Sequence, residues 1–295
     1  MTGSLIQHHI VLLKDAVRMK AYKAAIDGCV KKGDCVIDIG AGLGILSFLA
    51  ISAGASKVHA IEVEDETFRF LRLIARHNGL DKKIMFHKGL STGQKLKAKA
   101  DVIICELFGN LGVNENIVSV IADAKKRFLK TGGRIIPSGL KVFIAACEHK
   151  DWQYSRNFIK NLHGFDLLPD IEEIDLGTPS VIIKNTELIS NPAALAEISF
   201  SGDFSQKIRK KLTLKIERDG ILTGFAGWFD AKLADNVSFS TSPSDLTTHW
   251  KQAFLPLRTP QKVATGQQIK LHMEISPDRS GLHSIIGYGF EIETL

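Results

Sequence analysis

The stretch CVIDIGAGLGILS, residues 35–47, limits the choice of fold more than any other part of the chain. A short run of apolar residues ends in Gly40, Gly42 and Gly44 and passes at once into an apolar, helix-forming segment. A strand, glycine turn and helix in that order bring bare backbone close to a ligand, because no Cβ stands in the way. The neighbouring sequence repeats the alternation. Strands are predicted at CVIDIG, KVHAIEV, KIMFHK, DVIICEL and GRIIP, and helices over 12–26, over ILSFLAISAG, from Glu64 to His77 and from Asn116 to Leu129. This rhythm predicts an α/β fold in which a parallel sheet is covered by helices on both faces.

After Pro137 the texture changes. KVFIAACE, LTLKIER, TGFAGWFDAKL, QAFLPL and QQIKLHMEI are closely spaced strand patterns, which predict an antiparallel sandwich or barrel. Residues 150–184 interrupt them: DWQYSRNFIKNLHGF is helical and aromatic, and DLLPDIEEIDLGTP is irregular and acidic. That excursion is a candidate partner-binding arm, with a packed insertion as the plainer alternative. Two domains follow, residues 1–138 and 139–295, and 44% hydrophobic residues suffice for their cores.

No apolar run reaches the roughly 18 residues that span a bilayer, and MTGSLIQHHI lacks the order of a signal peptide. A soluble, cytoplasmic chain with no membrane partner is expected. The four cysteines form no C-x-x-C pair, and no metal site is indicated. A net charge of +6 raises nucleic acid as a partner, yet KIRKKLTLKIERD (207–219) alternates charge with apolar residues as the solvated face of a strand does. Nucleic acid is therefore not the expected ligand. His8 and His9 read as surface residues.

The glycine spacing is G-x-G-x-G, with Ile45 where a dinucleotide fingerprint would continue, and Asp38 stands two positions before Gly40. A carboxylate there suits a cationic ligand group and would sit badly beside a pyrophosphate. Glu62 closes the next strand, placed to accept the two hydroxyls of an adenosine ribose. Adenosine with an ammonium and no phosphate describes S-adenosylmethionine, and no P-loop lysine argues otherwise.

Four separated motifs then agree in order. VIDIGAGLGILS and KVHAIE, CELFGNLGVNE, the Thr248–His249–Trp250 loop in FSTSPSDLTTHWKQAF, and LLKDAVRMKAY together make the chain resemble the protein arginine N-methyltransferases. The likeness runs from about residue 9 to near the C-terminus. It implies a class I, Rossmann-like methyltransferase domain, a following β-barrel, and a helical arm within 150–184 that makes a homodimer. By resemblance Arg18 pairs with the cofactor carboxylate, while Asp38, Gly40, Gly42, Gly44 and Glu62 complete the cofactor site and Leu90 and Ser91 read adenine. Glu106 and Glu115 clamp the arginine of a protein or peptide substrate, Leu12, Asn110 and Trp250 line its pocket, and His249 pairs with Asp15.

The chemistry of a guanidinium explains two glutamates. It is planar, has five donors and keeps its proton at neutral pH, so its nitrogens are poor nucleophiles. Two carboxylates accepting its N–H groups in a fork draw charge away from one terminal nitrogen and free it to attack. The match has gaps: TGSLIQ contains no counterpart of the family's Tyr-Phe-x-x-Tyr helix, Leu107 and Phe108 replace Trp-Met, Asn110 holds a common tyrosine position, and Thr92 stands where an acid is frequent. These changes leave two alternatives, a class I methyltransferase acting on another nitrogen of a small molecule or ribosomal component, and a non-catalytic cofactor-binding subunit.

Overall fold

The computed structural model describes residues 2–97, 99–169 and 176–293. The chain opens with α1 (Thr2–Lys14) and α2 (Ala16–Cys29), and not with the single helix expected over 12–26. Asp15 separates them: its backbone is extended and its side chain accepts from the Arg18 amide, so it caps α2 instead of continuing α1.

Five parallel strands follow: β1 (Cys35–Ile39), β2 (Lys57–Glu62), β3 (Ile84–Lys88), β4 (Ala100–Cys105) and β5 (Leu129–Ile136). Their order is β3-β2-β1-β4-β5, and β1 and β2 are almost wholly buried. Three helices connect them, α3 (Ile45–Ser52), α4 (Asp65–His77) and α5 (Ile117–Phe128). The order reverses between β1 and β4, and a ligand crevice opens beyond the carboxyl ends of strands at such a switch point. Asp38, Glu62 and Glu106 lie on or just past the ends of β1, β2 and β4.

After Pro137 the strands are antiparallel. The first, β6 (Gly139–Cys147), leads through α6 (Lys150–Ile159) to β7 (Ser180–Val181) and β8 (Ala193–Ser199). Then come β9 (Ile208–Lys215), β10 (Gly220–Ala234), β11 (Val237–Ser240), β12 (Gln252–Val263), β13 (Gln268–Pro277) and β14 (Ser284–Ile292). They form a six-stranded sheet, β7-β12-β10-β6-β8 with β11 on β10, and a three-stranded sheet, β14-β13-β9. In β9 the alternation expected for 207–219 holds at Leu212 and Leu214, which are buried between exposed Lys211, Thr213 and Lys215. Part of the excursion returns to the sheet, since Ser180 and Val181 pair with Ala253 and Gln252; residues 170–175 of it lie outside the described residues.

One apolar core runs through both halves and includes Ile37 and Ile104 from the parallel sheet with Phe229 and Leu255 from the antiparallel one. Among the described residues no helix is long and apolar enough to cross a membrane, and no three metal-ligating side chains cluster.

Candidate active site

The three glycines of the turn are not equivalent. All have positive φ, a region that disfavours side chains. A Cβ on Gly44 would lie 2.5 Å from Leu71 Cδ1 and 2.8 Å from Phe48 Cζ, so this glycine serves the packing of α3 against α4 and not the open crevice where it was expected. A Cβ on Gly40 would strike the Leu107 side chain at 2.8 Å. Only at Gly42 is the approach from the crevice side, where His9 of α1 lies 3.3 Å from the position of a Cβ.

His9 thus corrects the expectation of a surface residue. It is half-buried, its ring covers the glycine turn, and Nε2 lies 3.4 Å from the Thr67 hydroxyl. Burial, with help from the His8 and Arg18 charges, lowers its pKa and favours the neutral ring. Nothing in the local sequence marks it, because the contact with Thr67 spans 58 residues.

Glu62 is buried and both its oxygens are engaged, Oε2 by the Gly42 amide at 2.9 Å and Oε1 by the Glu64 amide at 2.8 Å. These bonds tie the end of β2 to the glycine turn and leave a further lone pair on each oxygen. Asp38 is fully buried, with Oδ2 accepting from the Ser47 hydroxyl at 2.6 Å and Oδ1 without any partner. Burial pushes its carboxyl up to about 6 against the pull of the Ser47 hydrogen bonds. Leu90 and Ser91 form the turn after β3, and Arg127 of α5 braces it: its guanidinium donates to the carbonyls of Ser91 (2.7 Å) and Gln94 (2.8 Å) while Asp123 holds its other side. Arg127 escapes sequence reading because a basic residue in a last helical turn is unremarkable.

The loop after β4 carries both candidate glutamates and is closely built. A Cβ on Gly109 would collide with Asn114, whose Oδ1 accepts from the Leu111 amide at 2.7 Å, and Gly112 lies against Phe229. From outside, Ser284 donates to the carbonyls of Asn114 and Val113, and Asn110 donates to the Thr178 carbonyl at 2.9 Å. Glu106 Oε2 accepts from Nε (2.9 Å) and Nη2 (2.5 Å) of Arg18, both side chains being nearly buried. Glu115 is exposed as a residue, yet the protein around its carboxyl displaces enough water that desolvation, and then the Glu106 charge, push it up to about 7.

His249 meets Asp15 across 234 residues, with its amide at 2.9 Å and Nδ1 at 2.8 Å from Oδ2. Burial pushes the Asp15 carboxyl up, but hydrogen bonds from His249 and the Arg18 amide outweigh it and hold it at about 2. Trp250, expected on the pocket wall, is instead buried: its ring packs against Phe108, Phe229 and Phe239, and Nε1 donates to the Phe108 carbonyl at 2.6 Å. It secures the glutamate loop from beneath. Leu12 contributes its carbonyl, which accepts from Arg18 Nη1 at 3.3 Å.

The raised Asp38 pKa carries a testable cost. Its folded value of about 6 lies above the ordinary 3.8, so the penalty is absent below pH 4, grows as the pH rises through 6 and is complete above it. Two pKa units correspond to about 3 kcal/mol as an upper figure. Asp38→Asn should therefore gain stability relative to wild type between pH 4 and pH 7.5 in urea unfolding. A difference that does not vary with pH would show that Asp38 is not strained.

Residues 140–291 match the family described as arginine methyltransferase oligomerization subdomain, and residues 23–145 match ribosomal protein L11 methyltransferase (PrmA). The chain is 31% identical over 279 residues to protein arginine N-methyltransferase 1 of Dictyostelium discoideum, covering 91% of this chain and 81% of that protein. It is 29% identical over 289 residues to protein arginine N-methyltransferase 1 of rice, Oryza sativa subsp. indica, covering 94% and 74%. Among solved structures, the fold is similar to a chain of the Trypanosoma brucei PRMT1 enzyme-prozyme heterotetrameric complex with AdoHcy, at TM-score 0.83 and 23% identity over 97% of this chain and 93% of that one. Arabidopsis thaliana protein arginine methyltransferase 10 matches at TM-score 0.79 and 24% identity, with the same coverage.

Proposed function

Because the chain belongs to the protein arginine N-methyltransferase family, we propose that it transfers the methyl group of S-adenosylmethionine to a guanidinium nitrogen of arginine in a protein or peptide. One observation carries this reading. Glu106 holds the Arg18 guanidinium on Oε2, which leaves Oε1 with only a 3.5 Å amide contact and room for a substrate N–H, and Glu115 lies close enough to feel the Glu106 charge. The pair is thus chemically competent to fork a guanidinium.

The cofactor supplies a methyl group on a sulfonium. The residues present fit it: the unpartnered Oδ1 of Asp38 favours a nearby cation, the Gly42 backbone admits close approach, and the sequence of the turn carries no P-loop lysine. Glu62 would take the ribose, the Leu90–Ser91 turn the adenine edge, and Arg18 the carboxylate, with His9 closing over the turn. Arg18 sits on Glu106 and therefore links the cofactor and acceptor sides of the site.

Glu106 and Glu115 orient the substrate guanidinium and concentrate its charge away from the attacking nitrogen. Glu115, poised near 7, accepts the released proton. Asp15 accepts from His249 Nδ1, which leaves Nε2 as a second proton acceptor. A class I methyltransferase for another nitrogen is the competing reading, favoured by the match of residues 23–145.

Two peptides that differ only in Arg or Lys at one position, incubated with methyl-labelled cofactor, decide between them. Label on the Arg peptide and little on the Lys peptide is expected, since an ammonium cannot fill a planar fork. Equal labelling, or label on neither, would remove the assignment.

The homodimer is part of the same proposal. Tyr154 (76% exposed) and Phe158 (56%) on α6, with Phe165 (69%) beyond it, place large apolar groups in solvent on one excursion. Phe158→Asp with Phe165→Asp should convert a dimer to a folded monomer in sedimentation velocity. A monomeric wild type, or a variant that stays dimeric, would assign the arm another role.

A further inference from the structure

A cavity lies at the end of the parallel strands opposite to the one that carries the glutamates. It has a volume of about 540 Å³ and is walled by the start of β5, the end of α5 and, from the antiparallel half, Ser201 and Leu233–Asp235. Its size falls in the usual range for small-ligand sites. Strand direction separates the two places: Glu106 follows the end of β4, whereas Lys99 precedes its beginning.

The rim is basic. Lys99 precedes β4, Lys125 and Lys126 end α5, Lys130 and Arg134 lie on β5, and Asp235 is the one acidic residue among the lining side chains. Lys130 is paired with Asp101 and Arg134 with Asp34, while Asp235 is met by Lys232. Lys125 rests on two neutral carbonyls, those of Ser201 (2.7 Å) and Gly202 (2.6 Å), so its charge is not cancelled. Among the described residues Lys99 and Lys126 have no ion-pair partner, and three cationic groups therefore face one cavity uncompensated. The last-turn position of Lys125 and Lys126 also complements the carboxyl end of α5, but Lys99 belongs to the lead into β4 and gains nothing from that helix.

The floor is apolar. Leu129, Ile135, Leu233 and Ala234 line it, and burial raises the pKa of the Cys29 thiol at its edge, so it is held neutral. Uncompensated ammonium groups around an apolar floor suit a ligand with a doubly charged head and a flat, weakly polar body. A flat bilayer could not enter the recess. We propose that this cavity binds a nucleotide phosphate, with the phosphate on Lys99, Lys125 and Lys126 and the base against Leu129. The site is independent of the methyl-transfer reading and differs from the 207–219 strand, whose charges lie on a solvated face.

The probe is UTP, which shares no adenine with the proposed cofactor, compared in isothermal titration with uridine, inorganic triphosphate and a uridylate 12-mer. UTP should bind and uridine should not. Charge reversal by Lys99→Glu with Lys126→Glu should weaken UTP by at least about tenfold and flatten its salt dependence, because two phosphate contacts are lost. Triphosphate should bind more weakly than UTP if the floor contributes. A 12-mer that binds more tightly than UTP assigns the phosphate to a nucleic-acid strand, and equal affinity per site assigns it to a free nucleotide. No UTP binding, binding equal to that of uridine, or an affinity unchanged in the folded charge-reversal variant would overturn the proposal.

Discussion

Glu115→Gln is expected to lower kcat for an arginine peptide by on the order of 10²–10³ while changing its KM by only a few-fold, roughly the loss seen when one preorganised electrostatic contact to a transition state is removed. The substitution keeps the shape of the side chain and so should leave the loop intact, which is held by Asn114, Ser284 and Trp250 and not by Glu115. Charge is what disappears, and it matters most as the nitrogen turns nucleophilic. A pH signature accompanies it. Because the Glu115 carboxyl is raised to about 7, the wild-type kcat/KM should fall about tenfold per pH unit below 7 and level off above it. The Gln variant should lack that limb. Single-turnover methylation between pH 5.5 and 8.5 tests both, and equal rates for the two enzymes would leave Glu115 as a loop residue of some other methyltransferase.

Gly42→Val is expected to abolish cofactor binding, with at least about a hundredfold loss of affinity in calorimetric titration. Gly42 has φ +55, and a β-branched residue there is strained by ~1–2 kcal/mol before any contact is counted. Relief requires the turn to rotate, which would redirect the amide that Glu62 accepts and so move the carboxylate assigned to the ribose. The branched side chain would also fill the gap beneath His9. Gly44→Ala supplies the contrast: its Cβ meets Leu71 and Phe48 inside the core, so it should lower the melting temperature first. A Gly42→Val protein that binds the cofactor normally, or a Gly44→Ala protein as stable as wild type, would reverse these two roles.

The sequence by itself determined the alternation of helix and strand in the first half, the change to strands after Pro137 and the chemistry on offer, though not the break at Asp15 between α1 and α2. Strand and helix periods, glycine turns and the change of rhythm after Pro137 are short-range properties, and they led to the parallel sheet, the antiparallel half and the crevice at the ends of β1, β2 and β4. The spacing of Glu106 and Glu115 was legible for the same reason, since one loop carries both. What only the tertiary structure decided are the partners. Arg18 meets Glu106 across 88 residues, His9 covers Gly42, and Arg127 braces the turn at Ser91, whereas the pairing of His249 with Asp15 across 234 residues was already implied by the resemblance. Trp250 passed from pocket wall to core on the same grounds, because a loop tryptophan reads alike whether its ring faces substrate or Phe108. Strand order and helix placement bring such side chains together. No local period encodes that order, which arises when strands from both halves close a shared core.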